Sequence, residues 1–243
     1  MNNFENFGLP ESIIAALNKI NFTTPTPIQE QAIPVAMNGC DILGSAQTGT
    51  GKTGAFTIPM IAHLMENPSA TALVLLPPRE LAQQVREAAD KMLGSRSGIL
   101  TALLIGGESM SRQLQQLKQR PRIIIGTPGR INDHLLRRSL KLTDTDFLVL
   151  DETDRMLDMG FIHDVRRILD KIPNRKNLGM FSATISREVM DISWIYQRDP
   201  EEITVQATQE NKPDILQYRL DVDSDAKVDA IAAIIKKQGL ERV

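Results

Sequence analysis

The sequence is short of the residues on which several kinds of protein depend. It has one cysteine, so no disulfide can form within the chain, and a reducing compartment is expected. Cys40 itself reads as a small buried side chain at the start of a strand. Three histidines, His63, His134 and His163, are too scattered for metal-ligand spacing. Aromatic residues make up 4% of the chain, which argues against a surface built on base stacking. A formal net charge of −2 leaves no basic footprint over the whole chain, so any nucleic-acid contact has to be local. No stretch approaches the roughly 20 apolar residues of a membrane-spanning helix, and no basic segment followed by an apolar run opens the chain. The expectation is a cytoplasmic protein with no membrane contact.

What the 243 residues do contain is a 42% hydrophobic content, enough to bury a core, with no internal repeat and no low-complexity segment. Helical spacing of Ile13, Ile14, Leu17 and Ile20 after Pro10 predicts a helix over 9–20. A turn at Thr23–Gln29, set by Pro25 and Pro27, leads into a second helix over 29–37. From Asp41 the pattern becomes regular. Apolar runs at 40–46, 71–78, 99–107, 122–127, 146–152, 178–184 and 202–207 alternate with segments of helical periodicity. The runs are continuous rather than alternating, which predicts strands covered on both faces, and strand–helix alternation predicts right-handed parallel crossovers. The fold class is therefore α/β, a mostly parallel sheet with helices on both faces, ending near Ala207. The polar residues 208–216 read as a linker. A strand candidate at 217–222 and a helix at 225–238 follow, too little to bury a core alone, so 217–243 reads as part of a second domain or as a packed appendage.

The chemistry is most legible at Cys40–Thr53, where an apolar strand breaks into glycines and ends in Gly51-Lys52-Thr53. Gly49 and Gly51 allow the backbone to turn several N–H groups toward one phosphate, and the following helix adds its positive end. In this reading Lys52 reaches the outer phosphates and Thr53 holds Mg²⁺. The generic pattern has glycine where Ala46 stands, and an ordinary glycine-rich turn is the other reading. A second strand, Phe147–Leu150, delivers Asp151 and Glu152 at its carboxyl end. Such a pair alone is often a solvated loop. Beside a phosphate loop, Asp151 belongs to the metal shell and Glu152 orients or deprotonates the attacking water.

With these residues in hand, roughly 4–207 resembles the amino-terminal RecA-like domain of the DEAD-box ATP-dependent RNA helicases. Ala46-Gln47-Thr48-Gly49-Thr50-Gly51-Lys52-Thr53 is similar to the family's own phosphate loop, alanine included. Phe22–Gln29 looks like its Q motif, with Asn21 where glycine is usual. The resemblance implies that Gln29 reads the adenine edge and that Phe4 stacks on the base. Phe4 as a core aromatic, with Phe7 as the stacker, is the other reading. Asp151-Glu152-Thr153-Asp154 matches the name-giving tetrad except for Thr153 in place of alanine. The resemblance pairs Asp154 with Ser182 or Thr184 of Ser182-Ala183-Thr184, the segment that couples hydrolysis to domain movement.

Three further loops look like RNA-facing motifs: Pro77-Pro78-Arg79-Glu80, Gly106-Gly107 and Thr127-Pro128-Gly129-Arg130. Turns that expose N–H groups, two of them with an arginine, suit phosphate contacts without base reading. Pro78 replaces a threonine of the family, and Arg79 has a second reading as a surface partner of Glu80. Leu135, Leu136, Met156, Met159 and Phe161 are read as packing, and Arg137 and Arg138 as a solvated turn. The implied cofactors are ATP and Mg²⁺. The implied partners are single-stranded RNA and a second RecA-like domain, of which 217–243 would be the start. The resulting expectation is an ATP-dependent RNA helicase represented by its amino-terminal half. A nucleotide-dependent RNA clamp without significant catalysis is the alternative.

Overall fold

The computed structural model describes residues 3–94, 97–205, 220–223 and 226–238. The chain divides into two compact units, Met1–Ala207 and Thr208–Val243. In the first, a 3-10 turn (Phe4–Phe7) and helices α1 (Glu11–Lys19) and α2 (Pro27–Met37) precede strand β1 (Ile42–Ala46). There follow α3 (Lys52–Glu66), β2 (Thr71–Leu75), α4 (Arg79–Leu93), β3 (Thr101–Leu104), α5 (Met110–Lys118), β4 (Ile123–Gly126) and α6 (Pro128–Leu136). The unit closes with β5 (Thr145–Leu150), α7 (Thr153–Asp158), α8 (Ile162–Leu169), β6 (Asn177–Ser182), α9 (Arg187–Tyr196) and β7 (Glu201–Val205). Each of these seven strands overlaps its expected apolar run, with β5, β6 and β7 starting one residue before it.

The second unit contains α10 (Lys227–Gln238), which carries exposed Val228, Ile231 and Ile234. The expected linker 208–216 lies outside the described residues, as do residues 217–219 of the expected strand. Residues 220–222 are described and have no strand.

All strand pairs among the described residues are parallel, in the order β3-β4-β2-β5-β6-β1-β7. Alternate residues of one strand enter different cores. Ala72, Val74, Phe147 and Val149 join the core under α2, α3 and α4, whereas Leu73, Leu75, Leu148 and Leu150 join the core with Ile131, Val165 and Ile192 of α6, α8 and α9. Both faces are covered, which is why these strands read as unbroken apolar runs.

Close packing imposes glycine at points of the sheet. A Cβ on Gly44 would lie 2.7 Å from the Phe181 ring, which crosses over that strand. At the start of β1, buried Asp41 accepts the Leu178 N–H and the Arg198 N–H, both at 2.7 Å, and so ties β1 to β6 and to the approach to β7.

Three packing assignments are corrected by the structure. Cys40 is exposed, because the strand begins two residues later and Asp41 takes the inward position. Leu136 and Met159 are also exposed, at 71% and 52%, since both fall at helix ends where the apolar stripe has left the core. Met156 is fully buried, and Leu135 and Phe161 pack at the edge of the second core. Among the described residues no helix is long and apolar enough to cross a membrane.

Candidate functional site

In an open parallel sheet, ligands gather at the carboxyl ends of the strands. Here β6 lies between β1 and β5, with Ser45 level with Ser182 and Leu150 level with Met180. The loops after these three strands are therefore neighbours. Residues 47–51 turn from β1 into α3, with Gly49 at φ +87° and Gly51 at φ +97°, values that other residues rarely adopt. The Thr50 hydroxyl donates to the Gln47 carbonyl at 2.7 Å and tightens the turn.

The Q-motif residues act beneath this loop. Gln29 is fully buried; its Nε2 donates to the Gly51 carbonyl at 2.9 Å and its Oε1 accepts the Thr26 N–H at 3.0 Å. In this conformation Gln29 ties the start of α2 to the loop that precedes α3. The fit is tight. A Cβ on Gly51 would lie 2.6 Å from Gln29 Nε2, and one on Gly54 would lie 2.7 Å from the same atom.

Phe4 is 2% exposed, stacked on Phe22 at 5.4 Å and edge-on to Phe7 at 5.9 Å. The core reading of Phe4 replaces the stacking one, because its neighbours cover the face a base would need. Asn21, where the family usually has glycine, sits at φ +56°, a left-handed position that asparagine tolerates.

Across the β6 end, Lys52 Nζ lies 2.8 Å from Glu152 Oε1 and 3.9 Å from Asp151 Oδ1. All three residues are buried. Thr48 donates to the same Glu152 oxygen at 3.4 Å. Glu152 has left-handed φ +52°, and its N–H donates to Asp151 Oδ1 at 2.9 Å. Burial pushes the Asp151 carboxyl up to about 6, against the pull of Lys52. These groups line a cleft of about 410 Å³ together with Gly49, Thr53, Leu81 and Gln84. A larger cavity of about 570 Å³, between Ser12, Lys19, Met65 and Leu93, lies away from the strand ends and from every residue assigned to the chemistry.

Thr153 is fully buried, and its hydroxyl donates to the carbonyls of Leu150 (3.1 Å) and Phe181 (3.2 Å). It bridges the ends of β5 and β6 and leaves the carboxylates undisturbed. Asp154 Oδ2 accepts from the Thr184 hydroxyl (2.7 Å) and the Thr184 N–H (2.9 Å). Its own N–H donates to Ser182 Oγ, which donates in turn to the Thr184 carbonyl. Burial alone would raise the Asp154 carboxyl, but the bonds around Thr184 and Ser182 outweigh it and hold it below the usual range. Ala183 and Thr184 are exposed.

The three outer loops lie at the ends of β2, β3 and β4, at the other side of the sheet. Arg79 and Glu80 are exposed at the start of α4. The Arg79 guanidinium lies over the Gly106–Gly107 turn: a Cβ on Gly107 would collide with its Nη1, and one on Gly106 would lie 3.1 Å from its Nη2. The structure thus brings Arg79, Gly106 and Gly107 together. Pro77, Thr127 and Pro128 are buried. Gly129 is half-buried in the first turn of α6. Arg130 donates to the Glu108 carbonyl at 3.2 Å and to Gln113 Oε1 at 3.3 Å. Gln113 was not singled out from the sequence. The available signal was a polar residue within the apolar stripe of Met110, Leu114 and Leu117.

The family model described as DEAD/DEAH box helicase matches residues 26–192. A protein of Listeria monocytogenes named ATP-dependent RNA helicase CshA is 40% identical over 242 residues, covering 99% of this chain and 46% of the relative. One of Haemophilus influenzae named ATP-dependent RNA helicase DeaD is 42% identical over 215 residues, covering 87% of this chain and 35% of the relative. The chain spans less than half the length of these relatives. Among solved structures, a DEAD box protein from Methanococcus jannaschii superposes with a TM-score of 0.80 at 36% identity, over 96% of this chain and 63% of that one. A protein described as a hypothetical ATP-dependent RNA helicase from Sulfolobus tokodaii does so with a TM-score of 0.75 at 32% identity, over 81% and 57%.

Proposed function

Because this chain belongs to the DEAD/DEAH box helicase family, we propose that it is the amino-terminal half of an ATP-dependent RNA helicase. It binds Mg·ATP at the β1 and β5 ends and single-stranded RNA backbone at the outer loops, and it couples hydrolysis to local strand separation. The observation that carries this reading is the convergence of Lys52, Asp151, Glu152 and the Asp154–Thr184 pair around the end of β6.

The contact between Lys52 and Glu152 supports a partner exchange at Lys52. A phosphate entering the loop offers Lys52 a stronger anion than Glu152, and Lys52 then turns to it. Glu152 is left with a free oxygen to accept a proton from the attacking water. Thr53 and Asp151 line the same cleft and are oxygen donors, the ligand type that Mg²⁺ takes. Magnesium, when bound there, supplies charge neutralisation to the phosphates. Asp154 is bound to Thr184, so movement of the acidic segment is felt by the exposed Ala183–Thr184 turn. A second RecA-like domain, supplied by the remainder of the protein, meets that turn. Sequence-independent RNA contact is supported by Arg79 lying over the Gly106–Gly107 turn and by Arg130.

The test is phosphate release from Mg·ATP by this chain, with and without single-stranded RNA, beside nucleotide and RNA binding. Nucleotide binding that Lys52→Ala removes is expected, with turnover some 10³- to 10⁵-fold below that of a complete enzyme for want of a second-domain arginine. Nucleotide binding unaffected by Lys52→Ala would overturn the site assignment. In the complete protein Glu152→Gln should abolish hydrolysis and spare binding; equal inactivity of wild type and variant would favour the clamp.

A further inference from the structure

Gln113 occupies the junction between two of the loops assigned to RNA. It is fully buried on α5, and its Nε2 donates to the carbonyl of Ile105 at 2.7 Å, the residue before Gly106–Gly107. Its Oε1 faces Arg130 Nη1 at 3.3 Å and His134 Nε2 at 2.9 Å, both on α6. The neighbours dictate which end of the amide is which. A carbonyl can only accept and a guanidinium can only donate, so nitrogen must face Ile105 and oxygen must face Arg130.

That orientation in turn sets the histidine. A ring nitrogen opposite an amide oxygen must carry a proton, so His134 is the Nε2–H tautomer. Its Nδ1 then faces the Ser139 hydroxyl at 2.8 Å. His134 is fully buried, and burial, with Arg130 and Arg137 adding to it and Asp133 opposing, holds the ring below its ordinary pKa. Arg130 is also tied to the Glu108 carbonyl, just past the glycine turn. In the chain Ser139–His134–Gln113, the last member reaches both Arg130 and the carbonyl of Ile105, so the histidine acts on that loop through the glutamine. The attachment of α5 to the sheet is separate: Gln116 Oε1 accepts the Leu103 N–H at 2.9 Å.

We propose that His134 and Gln113 are positioning residues that lock Arg130 and the Gly106–Gly107 turn into one phosphate-binding surface. The proposal rests on the reading of those loops as RNA contacts.

The experiment is a double-mutant cycle on the affinity of this chain for a labelled oligouridine, with a non-hydrolysable Mg·ATP analogue present. Arg130→Ala and His134→Leu should each weaken binding roughly tenfold, and together no more than either alone, because the histidine acts through the arginine. His134→Gln, which keeps an N–H toward Gln113, should restore affinity to within about threefold of wild type. Nucleotide affinity should be unchanged throughout. Gln116→Ala, a purely structural loss, should instead combine additively with Arg130→Ala. Additive losses for Arg130→Ala and His134→Leu, or unaltered affinity in His134→Leu, overturn the positioning role. Should His134→Leu fail to fold, the ring ¹⁵N resonances of wild-type His134 decide: a proton on Nε2 is expected, and one on Nδ1 alone overturns the proposal. Wild-type protein that binds no oligouridine overturns the RNA reading itself.

Discussion

Asp151 combines the metal-binding role proposed for it with a raised pKa, and the two together set a pH dependence. Its ionisation is harder in the folded protein than in the unfolded chain, so the folded state takes up a proton as pH falls through about 6. The ionised form therefore detracts from stability above that pH, and the penalty disappears as pH falls toward the ordinary carboxylate range. Mg²⁺ competes with the same proton. Magnesium-dependent nucleotide affinity is expected to fall by up to tenfold per pH unit below about 6, read by fluorescent-nucleotide titration between about pH 5 and about pH 8. A flat profile would contradict the assignment of Asp151 to the metal. Thr153 makes a separate prediction. Thr153→Ala restores the family tetrad but removes the hydroxyl that bridges Leu150 and Phe181, so it should cost about 1 kcal/mol of stability and leave nucleotide affinity unchanged.

The packing of α2 against α3 governs the phosphate loop, and Gly54 shows how. An alanine inside a helix usually stabilises by about 1 kcal/mol relative to glycine. Here the added Cβ would lie 2.7 Å from Gln29 Nε2 and 3.1 Å from the Phe22 ring, so the buried, hydrogen-bonded Gln29 amide or the helix carrying it must shift. Gly54→Ala is expected to destabilise by about 1–3 kcal/mol in urea denaturation and to weaken nucleotide binding, because Gln29 loses its hold on Gly51. A stabilised variant would show that the helices yield freely.

The sheet as a whole depends on how β1 is held between β6 and β7. Asp41 supplies that hold from one buried carboxylate to backbone groups of Leu178 and Arg198, distant in sequence. Asp41→Ala leaves two N–H groups without their acceptor and should cost about 3 kcal/mol overall. The denaturant midpoint should fall with an unchanged slope, as for a loss of stability without a change in fold. A loss below about 1 kcal/mol would mean that other contacts hold β1 in place.

The sequence alone determined the parts that depend on local pattern. Continuous apolar runs marked the strands of the parallel sheet because each face is buried, and glycines before Lys52 marked the tight turn from β1 into α3 because few other residues adopt its backbone. Thr184 was legible as a partner of Asp154 through the family resemblance. The tertiary structure decided what buried polar and aromatic groups do, since their partners come from distant segments and leave no periodic trace. It tied Gln29 to the Gly51 carbonyl, drew Phe4 into the core beside Phe22, left Cys40 outside next to buried Asp41, and joined Gln113 to His134 and Arg130. It also set β6 between β1 and β5, which brings Lys52 against Glu152; strand order follows from packing across the whole sheet, and no single segment encodes it.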